Sequence, residues 1–111
     1  MDGNNMIVYL AGKMTGESDL GREKFGKAAQ LLKAVGYTVL NPAVLPVGMP
    51  KEKYMPICLA MIDQADIVYF MDDWQESEGA TFENMYAMYQ GKFRIYDSEK
   101  IMELKEGEKT E

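Results

Sequence analysis

Short continuous apolar runs alternate along the chain with longer segments whose apolar residues recur every three or four positions. "MIVYLAG" at 6–12 is apolar throughout, rich in β-branched and aromatic residues, and ends in Gly12, the pattern of a strand buried on both faces. "YTVLNP" at 37–42, "DIVYFM" at 66–71 and "FRIYD" at 93–97 predict three more short strands. Between the first two, Arg22 to Gly36 places Phe25, Ala28, Ala29, Leu32 and Val35 on one helical face, and Gly36 supplies the stop. A second helix is expected from about Lys53 to Gln64, with Pro56 accommodated in its first turn, and a third from Gly79 to Gln90. "LPVGMPKEKY", from Leu45, is a Pro/Gly-rich loop of the kind that covers a site. There are no internal repeats.

Strands separated by helices imply right-handed crossovers, hence an α/β fold with a parallel sheet and helices on both faces. The simplest layout is a flavodoxin-like (Rossmann-like) three-layer sandwich of four to five strands in the order 2-1-3-4(-5). In such sheets ligands sit beyond the carboxyl ends of the strands where the strand order reverses, here between the first and third strands. The loops at that point are "GKMTGESDLG" and "DDWQESEG".

Composition narrows the chemistry. The 111 residues suit one domain, expected over 1–97, followed by a charged C-terminal tail over 98–111. Asp97 to Glu111 carries six acids against three lysines, half of the net charge of −6, so the body is only mildly acidic and can hold a small anion locally. The overall sign argues against a nucleic-acid partner. No apolar run approaches the roughly 18 residues of a membrane span, and the start resembles no secretory signal, so the expected compartment is cytoplasmic. With one cysteine, Cys58, and no histidine, neither a disulfide nor a zinc site is expected, and any catalysis falls to carboxylates, Tyr, Lys, Ser or Thr.

The segment "WQESEGATFENMYAMYQG" stands out, because from Gly79 onward its helix carries one charge, Glu83. Phe82, Met85, Tyr86 and Tyr89 form one stripe and Ala80, Asn84, Ala87 and Gly91 lie opposite, so both faces look fit for burial, the first by the sheet and the side of small residues and Met by a partner subunit. On its own Glu83 reads first as a helix-rim glutamate that reaches solvent or pairs with a lysine. Ser77 is placed to cap the helix, and Gly79 and Ala80 leave uncrowded N–H groups at a helix N-terminus that favours anions. "AGKMTG" after the first strand offers Gly12, Lys13 and Thr15 without matching a Walker A or GxGxxG loop, and serves equally as a tight turn. Asp66, at the far end of the third strand, reads as a cap; Tyr9 reads as core. Asp72 and Asp73 read as solvated loop acids.

In order and spacing, "YLAGKMTG", "QADIVYF" and the later W, S, GA, E, A and GK positions resemble the nucleoside 2-deoxyribosyltransferase superfamily over roughly residues 6 to 96, most closely a small branch met in phage and bacterial genomes. The resemblance implies a flavodoxin-like sheet and cleavage of the N-glycosidic bond of nucleosides or nucleotides by a glutamate nucleophile, matched by Glu83. It also brings Tyr9 and Asp66 forward as site residues. The transferases carry an aspartate six residues before the nucleophile, where this chain has Ser77. A serine there is similar to the 2′-deoxynucleoside 5′-phosphate N-hydrolases, in which it helps to hold the phosphate; a hydroxyl beside free N–H groups attracts a phosphate that a carboxylate would repel. Those hydrolases read "GSIRG" after the first strand and this chain reads "GKMTG", so Lys13 is the candidate positive charge.

The implied mechanism is glycosidase-like. Glu83 attacks C1′, Tyr9 orients the carboxylate, Asp66 binds the sugar hydroxyl or helps to protonate the leaving base, and Trp74 either stacks on the base or packs at the rim. Neither cofactor nor metal is expected; the expected partners are a small nucleoside or nucleotide and further copies of the chain, through the Met/Tyr-rich helix 79–91. Two other readings stand beside this one: a catalytically silent nucleotide sensor on the same fold, and an oligomeric interaction domain in which Glu83 is incidental.

Overall fold

The centre of the sheet is formed by the two strands with no polar position to expose. The computed structural model describes residues 6–14 and 21–96, so Thr15 and the C-terminal tail lie outside the described residues. Strands β1 (Ile7–Ala11), β2 (Thr38–Leu40), β3 (Ile67–Phe70) and β4 (Phe93–Tyr96) form one parallel sheet in the order β2-β1-β3-β4, the expected layout. β1 and β3 pair with Tyr9 opposite Val68 and Ala11 opposite Phe70. The two-residue period of a strand sends alternate side chains to opposite layers. Val8 and Leu10 join Ile67 and Tyr69 against helix α1 (Arg22–Ala34), whereas Tyr9 and Ala11 join Val68 and Phe70 on the side of helices α2 (Lys51–Gln64) and α3 (Glu78–Tyr89). A tyrosine in mid-strand is thereby aimed at the layer that holds Glu83.

Helix α1 buries Phe25, Ala28, Ala29 and Leu32, as the spacing predicts, and Gly36 adopts φ 104° just beyond its end. Val35 falls at the cap and is half-buried. Two expectations change. α2 starts at Lys51 rather than Lys53, so Pro56 lies inside the helix, past the first turn. Proline lacks the N–H that would bond the Glu52 carbonyl, and the exposure of Pro56 leaves water to serve that group.

α3 turns the other face to the sheet. Ala80, Glu83 and Ala87 are buried, while Phe82, Met85, Met88 and Tyr89 are exposed. The small residues win the inner position because they let the helix backbone approach the sheet closely, which brings the Glu83 side chain within reach of β1. The outward stripe is held in place from its edge: the Tyr86 hydroxyl donates to Asp63 Oδ1 at 2.7 Å, and the Tyr96 hydroxyl donates to Asn84 Oδ1 at 2.7 Å, tying α3 to α2 and to β4.

Candidate active site

A cavity of about 760 Å³ opens at the carboxyl end of β1, between α2 and the start of α3, within the size range of small-ligand sites. Its floor is Tyr9 and Glu83. The Tyr9 hydroxyl donates to Glu83 Oε2 at 3.0 Å, and both side chains are buried. Glu83 is among the described residues the one buried carboxylate, and burial pushes its carboxyl from 4.5 to about 7, although the Tyr9 hydroxyl and, less strongly, the Cys58 thiol favour the charged form. Burial and the neighbouring carboxylate hold the Tyr9 hydroxyl well above its ordinary value, so it stays a donor. A carboxyl poised near neutrality in a cleft is what a nucleophile or a proton-transfer group requires.

The mouth is built by strand ends and loops. Gly12 follows β1 where a Cβ would sit 2.6 Å from Met71 Cγ and 3.0 Å from Met71 Cβ, so only glycine lets the two central strands leave the sheet side by side. The Lys13 N–H donates to Asp73 Oδ1 at 3.2 Å, and Lys24 pairs with the other oxygen of Asp73. Asp73 is therefore a tether between the loops after β1 and β3 rather than a solvated acid; Asp72 is exposed, as expected. Lys13 Nζ lies 3.7 Å from Glu76 Oε1, and Lys51 Nζ lies 3.2 Å from Glu78 Oε1. Both glutamates are largely exposed, so these pairs hold the rim weakly and an anion can displace them at little cost.

Ser77 closes the start of α3. Its Oγ accepts from the Ala80 N–H at 3.1 Å, which leaves its own proton to donate elsewhere. A Cβ at Gly79 would meet only ordinary contacts, Met55 Cε at 3.4 Å and Ser77 Oγ at 3.8 Å, so the first turn is uncrowded. The opposite wall is apolar, with Met49 from the loop after β2, Met55 from α2 and Phe82 from α3. The Pro/Gly-rich loop covers the cavity as expected, and Tyr54 fixes it by donating to the Pro46 carbonyl and accepting from the Met49 N–H at 3.3 Å.

Of the residues predicted from sequence, Tyr9, Gly12, Lys13, Ser77, Gly79, Ala80 and Glu83 all line this cavity. Two do not. Asp66 sits at the amino edge of β3, exposed, and its Oδ2 accepts from the Ile7 N–H at 2.8 Å; it caps the end of the sheet remote from the carboxyl ends and does not line the cavity. Trp74 packs against Phe70 and Tyr96, with ring centroids 5.2 and 5.6 Å away, and fills the edge of the core rather than the cavity. Sequence reasoning missed Cys58, Met49, Met55 and Phe82. Met55, Cys58 and Ile62, at three-and-four spacing, mark the inner side of α2 and were the available signal. Among the described residues no group of three or more Cys, Asp or Glu is placed to hold a metal ion.

An α/β sheet with a buried carboxylate at its switch point defines a flavodoxin-like domain with a small-molecule cleft. The model of a domain of unknown function, DUF4406, matches residues 6–96, and the chain belongs to that family. Its fold is shared with a solved deoxyribosyltransferase, the α/β layout that the sequence pattern implied. Among solved structures it is similar to a 2-desoxiribosyltransferase from Leishmania mexicana, at 21% identity and a TM-score of 0.66, over 82% of this chain. The chain spans 63% of the length of that structure. No curated protein matches.

Proposed function

We propose that the protein cleaves the N-glycosidic bond of a (deoxy)nucleoside or its 5′-monophosphate, with Glu83 as nucleophile. The observation that carries this reading is the Glu83 carboxylate, buried yet facing a cavity of about 760 Å³ and held by the Tyr9 hydroxyl. A Glu83 oxygen bonds to C1′ as the C1′–N bond breaks, and its electron pair leaves with the base, which takes a proton from water. Water or a second base then attacks C1′ and releases the carboxylate. Asp66 has no part in this scheme. Met49, Met55 and Phe82 offer the apolar surface for the base in place of Trp74. The Ser77 hydroxyl, the first turn of α3 and Lys13, released from Glu76, suit a 5′-phosphate.

The exposed Phe82, Met85, Met88 and Tyr89 favour a homo-oligomer through α3, with Phe82 both in this stripe and in the cavity wall. A cytoplasmic location belongs to the same reading. Among the described residues no helix is long and apolar enough to cross a membrane.

The test is incubation with a panel of nucleosides and deoxynucleoside monophosphates followed by chromatography for free base. Wild type is expected to release base and Glu83→Ala to lose at least about a thousandfold in rate, as for removal of a covalent nucleophile. Adding a second base separates transfer from hydrolysis. Ligand-induced thermal stabilisation without release points to the silent sensor, and neither effect to the interaction domain.

A further inference from the structure

We propose that Asp73 is a positioning residue for the phosphate end of the cavity, its carboxylate fixing the turn after β1 so that the Lys13 ammonium is held at the mouth near the start of α3. This rests on the reading of the substrate as a nucleoside 5′-monophosphate. Asp73 does not line the cavity, whereas Lys13, Met14, Ser77 and Gly79 do. Three segments converge on its side chain. Oδ1 accepts from the Lys13 N–H at 3.2 Å, and Oδ2 pairs with the ammonium of Lys24 in the first turn of α1. The backbone carbonyl of Asp73 then accepts from the Glu76 N–H at 3.0 Å, that of Trp74 from the Ser77 N–H at 3.1 Å, and the Ser77 Oγ from the Ala80 N–H at 3.1 Å. Short local hydrogen bonds therefore join the turn after β1 to the end of α3 that favours anions.

The charges at this junction are arranged for an anion. A lysine in the first turn of a helix meets the positive end of the helix dipole and needs a partner, which Asp73 supplies to Lys24. In return Lys24 cancels a carboxylate that would otherwise repel a phosphate at the mouth. Gly12 makes room for the arrangement, since a Cβ there would lie 3.3 Å from Asp73 Oδ1. The loop after β3 thus engages Lys13 twice, its N–H through Asp73 and its ammonium through Glu76 Oε1 at 3.7 Å. The two contacts differ in permanence. Glu76 is 67% exposed and yields the ammonium to an anion, whereas Asp73 is 21% exposed and keeps hold of the backbone. Lys13 can therefore change partner while its turn stays in place.

The experiment measures kcat and KM for base release, and Kd by calorimetry, with the common deoxynucleoside 5′-monophosphates and the matching nucleosides. The proteins are wild type, Asp73→Ala, Asp73→Asn, Lys13→Ala and the Asp73→Ala, Lys13→Ala double variant, each confirmed as folded by its thermal transition. Asp73→Ala is expected to raise KM and Kd for the monophosphate about three- to tenfold while kcat and the nucleoside KM stay put. Asp73→Asn, which keeps an acceptor for the Lys13 N–H, is expected to return the monophosphate KM to within about twofold of wild type. Because Asp73 acts through Lys13, the double variant is expected to bind no more weakly than Lys13→Ala alone. Equal losses for monophosphate and nucleoside, no loss in Asp73→Ala, Asp73→Asn behaving like Asp73→Ala, or additive losses in the double variant each overturn the proposal. Base release from nucleosides without monophosphate binding overturns it and leaves the glycosidase reading standing. Monophosphate binding without base release overturns the glycosidase reading instead, and the same ratios in Kd then decide the role of Asp73.

Discussion

Glu83 is costly to its own fold. Its carboxyl stands at about 7 against 4.5 because burial penalises the charge more than its hydrogen bonds repay it. Below pH 4.5 the group is protonated in folded and unfolded chains alike, and nothing is lost. As pH rises to about 7 the unfolded chain releases the proton while the folded one retains it, so stability falls; above that the whole penalty, about 3 kcal/mol, is in force. Glu83→Gln keeps the shape and an acceptor for Tyr9 but has no charge to desolvate. Urea unfolding is expected to show this variant more stable than wild type by up to about 3 kcal/mol at pH 8 and nearly equal at pH 4. A difference independent of pH would mean that the carboxyl is not raised. A residue that costs stability and is placed in a cleft is the pattern of a functional group.

At the scale of elements, the chain trades ordinary packing for close approach. Gly12 allows β1 and β3 to leave the sheet in contact, and its position against Met71 Cβ, which cannot rotate away, makes the site intolerant of any side chain. Gly12→Ala is expected to lower stability by about 1–3 kcal/mol through overpacking, read as a lower thermal midpoint; an unchanged midpoint would show that Met71 and the loop yield freely. Secondary structure was legible because apolar runs and helical spacing are local properties. The inner face of α3 was not. Both of its stripes are apolar or small, so periodicity offered no polar side to mark solvent, and the alanines that allow close packing carry less hydrophobic weight than the Phe, Met and Tyr left outside. The start of α2 was displaced for a related reason: Pro56 signals a first turn, yet a proline on an exposed helix surface is tolerated one turn further in.

For the molecule as a whole, the outward stripe of α3 is the unresolved burial. Phe82, Met85, Met88 and Tyr89 are each about half exposed or more, beside the mouth of the cavity. If copies associate there, light scattering of wild type gives a multiple of 12.6 kDa, and Met85→Glu combined with Tyr89→Ser reduces it to the single-chain value. A wild type already at 12.6 kDa, or a double variant with the wild-type mass, would place any interface elsewhere.

The sequence by itself determined the strand order, the three helices, the switch point and the concentration of site residues at the ends of β1 and the start of α3, because strand burial, helix spacing and crossover handedness are encoded in local pattern. It also singled out Glu83 as the odd charge on its helix. Only the tertiary structure decided which side of α3 faces the sheet, that Asp66 and Trp74 lie away from the cavity, that Asp73 ties two loops together, and that Cys58 lines the same cavity as Tyr9 and Glu83. Those facts depend on which side chains from distant segments meet. Such meetings follow from how closely helices and strands can pack, which no single segment records.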